Sequence, residues 1–169
     1  FFGQFGKKGV GYYVAELKES IGTILGLDHH WNVAIIGMGH LGAALANYQG
    51  IARLGFRLAA IFDANPIVIG TRVGERRVED IAYLAEIIAE RDIRIGVIAV
   101  PAAAAQEVAD KLVAAGIRGI WNFAPVNIQV PPTIPFVSED LSVGLSALSY
   151  YLSHAIHEET ELSDKNSHD

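Results

Sequence analysis

Short apolar runs alternate with stretches of helical spacing along most of this chain, and few folds tolerate that alternation. Val33–Gly37, Leu58–Asp63, Ile95–Val100 and Gly119–Ala124 read as strands, with Phe136–Val137 as a last one. Between them, Leu41–Leu54 and Ala102–Ala115 repeat apolar residues three and four positions apart. Ile81, Leu84, Ala85 and Ile88 do the same after a short stretch near Val73–Val78. Strands that are apolar throughout are buried on both faces. The expected architecture is therefore α/β, a doubly wound, mainly parallel sheet covered on both sides by helices.

The first strand runs straight into Gly37-Met38-Gly39-His40-Leu41-Gly42, a G-x-G-x-x-G pattern that opens the first helix of the repeat. Alone the pattern is weak, but strand before and helix after are the context its chemistry needs. Gly37 permits the tight turn, Gly39 lets a pyrophosphate approach the backbone, and Gly42 allows the helix to pack closely on the strand. The second strand ends in Asp63, 21 residues after Gly42. A carboxylate there accepts from ribose hydroxyls and repels a 2′-phosphate, which favours NAD(H) over NADP(H). Residues 31–140 thus read as a Rossmann-like dinucleotide-binding domain. Ligands of such sheets sit beyond the carboxyl ends of the strands, so Val100, Pro101, Asn122, Phe123 and Ala124 are expected to border the cofactor. Pro101 has a second role open to it as the start of a helix, and Phe123 as a core residue. His40 is either a donor near the phosphates or an exposed side chain.

Outside the repeat, residues 1–13 are rich in glycine and aromatics, like the end of a hairpin or wing whose partner strands lie upstream. Residues 14–30 form a linker, with Val14, Leu17, Ile21, Ile24 and Leu25 on one helical face and Gly26 to end it. After the prolines Pro125, Pro131, Pro132 and Pro135, a helix over 141–156 carries Leu141, Leu145, Leu148, Leu152 and Ile156 on one stripe. Ser138 or Asp140 is placed to cap it. That helix lies outside the strand–helix repeat, so its stripe needs another partner. Residues 157–169 are polar and acidic, and are expected to be disordered.

The formal net charge of −6 opposes binding to DNA phosphates by this chain as a whole. No apolar run approaches a bilayer span, and no secretory signal is visible. The absence of cysteine excludes disulfides and thiolate sites, and fits a cytoplasmic protein. The six histidines include His29-His30 and the pair His154 and His157, but no cluster supplies the three ligands of a metal site. A dehydrogenase needs a substrate domain and an acid–base group. The last arginine is Arg118, and Asp140 serves more economically as a cap than as a base. Three functions stay open at this level: a ligand sensor, the Rossmann part of an NAD-dependent oxidoreductase, and a CoA-binding domain.

Several segments carry a more specific resemblance. They are Phe2-Gly3-x-Phe5-Gly6-Lys7-Lys8-Gly9-Val10-Gly11-Tyr12, Ile24-Leu25-Gly26-Leu27, Leu45-Ala46-Asn47-Tyr48 and Phe62-Asp63-Ala64-Asn65-Pro66. Val100-Pro101-Ala102-x-Ala104-Ala105-Gln106, Asn122-Phe123-Ala124-Pro125, Asp140-Leu141-Ser142 and Leu148-Ser149-Tyr150-Tyr151-Leu152 complete them. Together they resemble the Rex family of bacterial redox-sensing transcriptional repressors. The resemblance implies a homodimer that senses NAD(H), with an N-terminal winged-helix domain that holds operator DNA until NADH binds. It implies that residues 1–13 are the remnant of a wing, so operator DNA is a partner of the full-length protein and not of this fragment. It further implies that the last helix is exchanged between subunits, and that Tyr48 and Asp140, the latter supplied by the partner chain, lie near the nicotinamide.

Overall fold

The computed structural model describes residues 14, 17, 21, 22 and 30–166, with side chains as far as His154 in the last helix. Val14, Leu17, Ile21 and Gly22 are helical. The expectations for residues 1–13, for the rest of the linker and for 167–169 lie outside the described residues.

The core of the fold is built by β1 (Trp31–Ile36), β2 (Phe56–Asp63), β4 (Arg76–Asp80), β5 (Ile93–Ile98), β6 (Gly119–Asn122) and β7 (Phe136–Ser138), all paired in parallel. A two-residue strand, β3 (Arg72–Val73), runs antiparallel on the edge against β4. The sheet order is β3-β4-β2-β1-β5-β6-β7. Counting only the parallel strands in chain order, the spatial order is 3-2-1-4-5-6, the doubly wound arrangement. Its direction reverses between β1 and β5, and a crevice opens there at the carboxyl ends of the two strands.

Alternation along β1 divides the core between two faces. Ala34 and Ile36 turn to the larger cluster, which holds Phe62, Leu84, Ile88, Ile98, Val108 and Leu112. There α3 (Leu84–Glu90) and α4 (Ala102–Ala114) cover the sheet, and Gly96 gives the Leu112 side chain room to lie flat on β5. Val33 and Ile35 turn the other way, with Val97, Leu45, Phe56, Ile95, Trp121 and Phe123. Helices thus lie on both sides of the sheet, as expected, but among the described residues those on the second face leave part of it open. The cause is local. The helix expected over Leu41–Leu54 breaks into α1 (His40–Ala46) and α2 (Gln49–Arg53), because Asn47 turns its side-chain amide back onto the Ala43 carbonyl (2.8 Å) and ends the first piece. After β6, prolines replace a crossover helix with a loop.

The last helix, α5, spans Val143–Asn166, and every described side chain from Leu141 to His154 is exposed. It therefore runs ten residues beyond Ile156, through most of the stretch expected to be a disordered tail. The apolar stripe ends there, but the run Glu158-Glu159-Thr160-Glu161-Leu162 holds no glycine or proline, and glutamate and leucine are good helix formers.

Candidate functional site

The turn after β1 is built on glycine. Gly37 takes φ +100°, and a side chain there would meet the Ala99 carbonyl at 2.6 Å and the Val100 side chain at 2.8 Å. Its N–H donates to the Phe62 carbonyl (2.8 Å), and the Ala99 N–H to the Ile36 carbonyl (2.8 Å), so the ends of β1, β2 and β5 are laced together. A side chain on Gly42 would collide with the Gly37 carbonyl, which fixes how closely α1 lies on β1. Gly39 differs from both: nothing stands within 4 Å of the position its missing side chain would take. The space is open toward a ligand, as close approach of a pyrophosphate to the backbone requires.

Asp63 ends β2 across the same crevice. One carboxylate oxygen accepts from the Met38 N–H at 2.6 Å and the other from the Asn65 N–H at 2.8 Å. The acid thus ties the glycine turn to the loop after β2. A carboxylate offers about four acceptor positions, so two stay free for a ribose diol. Asn65 closes the loop by accepting the Ile67 N–H (3.0 Å). Gly37, Met38, Gly39, Asp63, Val100 and Pro101 line one crevice of about 390 Å³, continued by Val68, Ile81, Ala104 and Val108 and rimmed by Glu107 and Lys111.

Other expected residues are not on that lining. His40 is exposed and Leu41 half-buried. Asn122 is fully buried and its amide is spent within the chain. Its Nδ2 donates to the carbonyls of Ala124 and Val126 and to the Ser138 hydroxyl, and its Oδ1 accepts the Ala124 N–H. Its geometry is that of a clasp between β6, β7 and the loop that begins with Phe123. Ala124 is buried in the larger core cluster. Phe123 is half-buried and lies against Trp121, ring centroids 4.5 Å apart. Tyr48 is exposed, with its ring over Gly50. Asp140 is exposed, and its carboxylate accepts from the N–H (2.8 Å) and hydroxyl (2.6 Å) of Ser142, just before α5. Those two bonds hold its carboxyl below the usual carboxylate range.

Two features escape the sequence pattern. Gln106 clamps the proline loop from α4, its Oε1 accepting the Gln129 N–H (2.8 Å) and its Nε2 donating to the Gln129 carbonyl (2.9 Å). On the open sheet face, Val33, Ile51, Leu54, Phe56, Ile95, Val97, Trp121 and Val137 line a groove of about 430 Å³. Only the alternation of β1 and β5 signals that second feature. Among the described residues no group of three histidine, aspartate or glutamate side chains could hold a metal ion, and no helix is long and apolar enough to cross a membrane.

The redox-sensing transcriptional repressor Rex of Clostridium perfringens is 46% identical over 153 residues, covering 90% of this chain and 72% of that protein. The chain belongs to the Rex family. The Rex repressor of Chloroflexus aurantiacus is equally similar, 46% identical over 90% of this chain and 72% of its own length. Among solved structures, the Rex-family repressor RSP matches with a TM-score of 0.83 at 40% identity, over 90% of this chain and 73% of that one. The same repressor in complex with β-NAD⁺ and operator DNA matches with a TM-score of 0.87, over 94% of this chain and 73% of that one. Its complex with β-NADH gives 0.82, over 89% and 73%. Residues 28–126 also belong to the family described as the CoA binding domain. Members of the Rex family are transcriptional repressors, so the chain is a regulator and not an enzyme.

Proposed function

We propose that this chain is the NAD(H)-sensing and dimerising part of a redox-responsive transcriptional repressor, in which NADH binding in the crevice releases operator DNA. One observation carries the reading: Gly37–Gly39, with free space at Gly39, and Asp63, with acceptor capacity left, face one crevice at the switch point of the sheet. The Rex-family repressor RSP, crystallised with β-NADH and with β-NAD⁺ and operator DNA, shares that fold at 40% identity.

In this reading Gly37, Met38, Gly39, His40, Leu41 and Gly42 form the pyrophosphate turn, and Asp63 holds the adenosine ribose. Val100 and Pro101 border the dinucleotide at the end of β5. Asn122 and Ala124 support the loop that presents Phe123 toward the nicotinamide, while Tyr48 and the partner's Asp140 complete that end. The dinucleotide supplies the signal, because the oxidised ring carries one more positive charge than the reduced one. The apolar surroundings of Phe123 and Val100 disfavour that charge. A hundredfold preference for NADH needs about 2.7 kcal/mol, well within the cost of desolvating a charge. A ligand shifts two states only by such a difference.

The unpartnered stripe of α5 and the uncovered apolar groove lie on the same chain. Exchange of α5 between two copies covers both at once, as a two-fold dimer requires. The proposed domain order is wing remnant (1–13), linker helix (14–30), Rossmann domain (31–140), exchanged helix (141–156) and tail (157–169). Operator DNA is a partner in this reading, as in the RSP complex, although the net charge of −6 opposes DNA binding by the chain as a whole. A cytoplasmic location fits the lack of cysteine.

Calorimetric titration with NADH, NAD⁺, NADPH and CoA tests the reading. NADH is expected to bind one per subunit and at least tenfold tighter than NAD⁺ or NADPH, with Asp63→Ala weakening it by about tenfold, the scale of one or two hydrogen bonds to a charged group. Equal binding of NADH and NAD⁺ removes the redox mechanism. Tighter binding of CoA than of either moves the chain to the reading that its match to the CoA binding domain family favours.

A further inference from the structure

The crevice has two chemically distinct halves. Gly37–Gly39 and Asp63 make the polar half, suited to phosphate and ribose. Beside that half, Val68 of the loop after β2, Ile81 of the turn after β4, and Ala104 and Val108 of α4 supply an apolar lining. Positions 104, 107, 108 and 111 share one face of α4. Val108 is buried and Ala104 half-buried, while Glu107 and Lys111 are exposed at the mouth, joined by an ion pair with Nζ to Oε1 at 2.7 Å.

We propose that Glu107 reads the 6-amino group of the cofactor's adenine, with Lys111 as the residue that positions it, so that the crevice selects an adenine dinucleotide over a 6-oxopurine one. The inference rests on the nicotinamide-dinucleotide reading above. An apolar slot accepts any flat purine, and only a polar group at its mouth distinguishes an amino donor from an oxo acceptor. Four ionic or amide side chains line this crevice: Asp63, Asn65, Glu107 and Lys111. Asp63 is engaged with the turn and with Asn65, and the Asn65 oxygen with Ile67. Glu107 and Lys111 are the pair at the far end. Glu107 stands one turn nearer the start of α4 than Lys111, toward Pro101 and Ala104 on the crevice lining. The hydrogen bond from Lys111, reinforced by its charge, holds the Glu107 carboxyl below the usual carboxylate range, so it is an acceptor at neutral pH. An amino group donates to it. A 6-oxo group sets acceptor against acceptor and leaves that interaction unmade.

The test is equilibrium titration with NADH and with its hypoxanthine analogue, in which a 6-oxo group replaces the 6-amino group, read by the fluorescence of the reduced nicotinamide. The wild-type chain is expected to bind NADH about tenfold tighter, the worth of one hydrogen bond to a charged group. In Glu107→Gln the amide both donates and accepts, so the ratio falls to about one to three. Lys111→Met, which frees the carboxylate from its anchor, lowers the ratio by a smaller factor. Thermal midpoints of all three chains are expected to agree, because both residues are exposed. A wild-type ratio below about two, or an unchanged ratio in Glu107→Gln, overturns the adenine inference alone. Failure of both dinucleotides to bind overturns it together with the dinucleotide reading.

Discussion

Gly39 and Gly42 belong to one motif but answer to different physics, and substitution separates them. A side chain on Gly42 meets the Gly37 carbonyl, so Gly42→Ala forces α1 away from β1. Overpacking of this kind costs about 1–3 kcal/mol, and the thermal midpoint should fall by roughly 3–10 °C for a chain of this size. Gly39 has an ordinary φ of −75° and open space around it, so Gly39→Ala costs no more than about 1 kcal/mol, the loss of a good residue ahead of a helix. The same substitution should nevertheless weaken NADH binding by at least tenfold, because its methyl group takes the space a pyrophosphate would use. Thermal melts and NADH titrations of the two variants give opposite rankings if this is right. Equal loss of stability in both would mean that Gly39 is a packing residue as well. The spacing of these glycines and of Asp63 was legible in the sequence, because it follows from the strand–turn–helix geometry alone. The role of Asn122 was not. Its four bonds depend on Ser138 and Val126 reaching it through the proline loop and β7, which no local pattern specifies.

Elements were legible where periodicity was long, and illegible where a single side chain ended them. All five expected strands are present, and β7 pairs in parallel with β6 over Phe136–Ser138 although it is only three residues long. The break between α1 and α2 rests on the Asn47 amide, and the stripe over Leu41–Leu54 passes through it without a mark. At the start of α5 the controlling group is Asp140, which ties Ser142 to the turn. Its carboxyl is held below its ordinary range in the folded chain, so the bonds it makes favour the fold above about pH 4, the ordinary aspartate value. That contribution is lost as pH falls through the lower folded value, because the protonated group no longer accepts as a charge. In an NMR titration the Asp140 carboxyl carbon should show a midpoint below about 3.9, with the Ser142 amide proton moving in step. Asp140→Ala should abolish the Ser142 response while other acidic residues titrate as before. A midpoint at or above the ordinary value would leave the turn to the backbone bond from Val143 to the Asp140 carbonyl (3.2 Å).

For the whole molecule, the crevice and the α5 stripe make two separable equilibria on one fold. The crevice lies within a single chain, whereas the stripe of Leu141, Leu145, Leu148 and Leu152 is exposed, with no cover among the described residues. A ligand that binds only the folded chain stabilises it by RT ln(1 + [L]/Kd), about 2.7 kcal/mol at a hundredfold excess over Kd. For a chain of this size that is a rise of roughly 5–11 °C in thermal midpoint with NADH. NADPH should give little if Asp63 holds the adenosine ribose as proposed, since its carboxylate repels a 2′-phosphate. The midpoint should also rise with protein concentration, because association couples to folding in the same way. Leu148→Glu places a charge in the middle of the stripe. Burying it unpaired against the groove costs several kcal/mol, so the variant should sediment as a monomer and lose the concentration dependence. It should keep most of the NADH-induced rise, since the residues proposed for phosphate, ribose and adenine all line a crevice within one chain. If the partner's Asp140 completes the site as proposed, the variant should also bind NADH several-fold more weakly. A variant that stays dimeric at micromolar concentration would refute exchange of α5 as the basis of assembly. A monomeric variant with no NADH-induced rise would place the decisive contacts across the dimer instead of within the crevice.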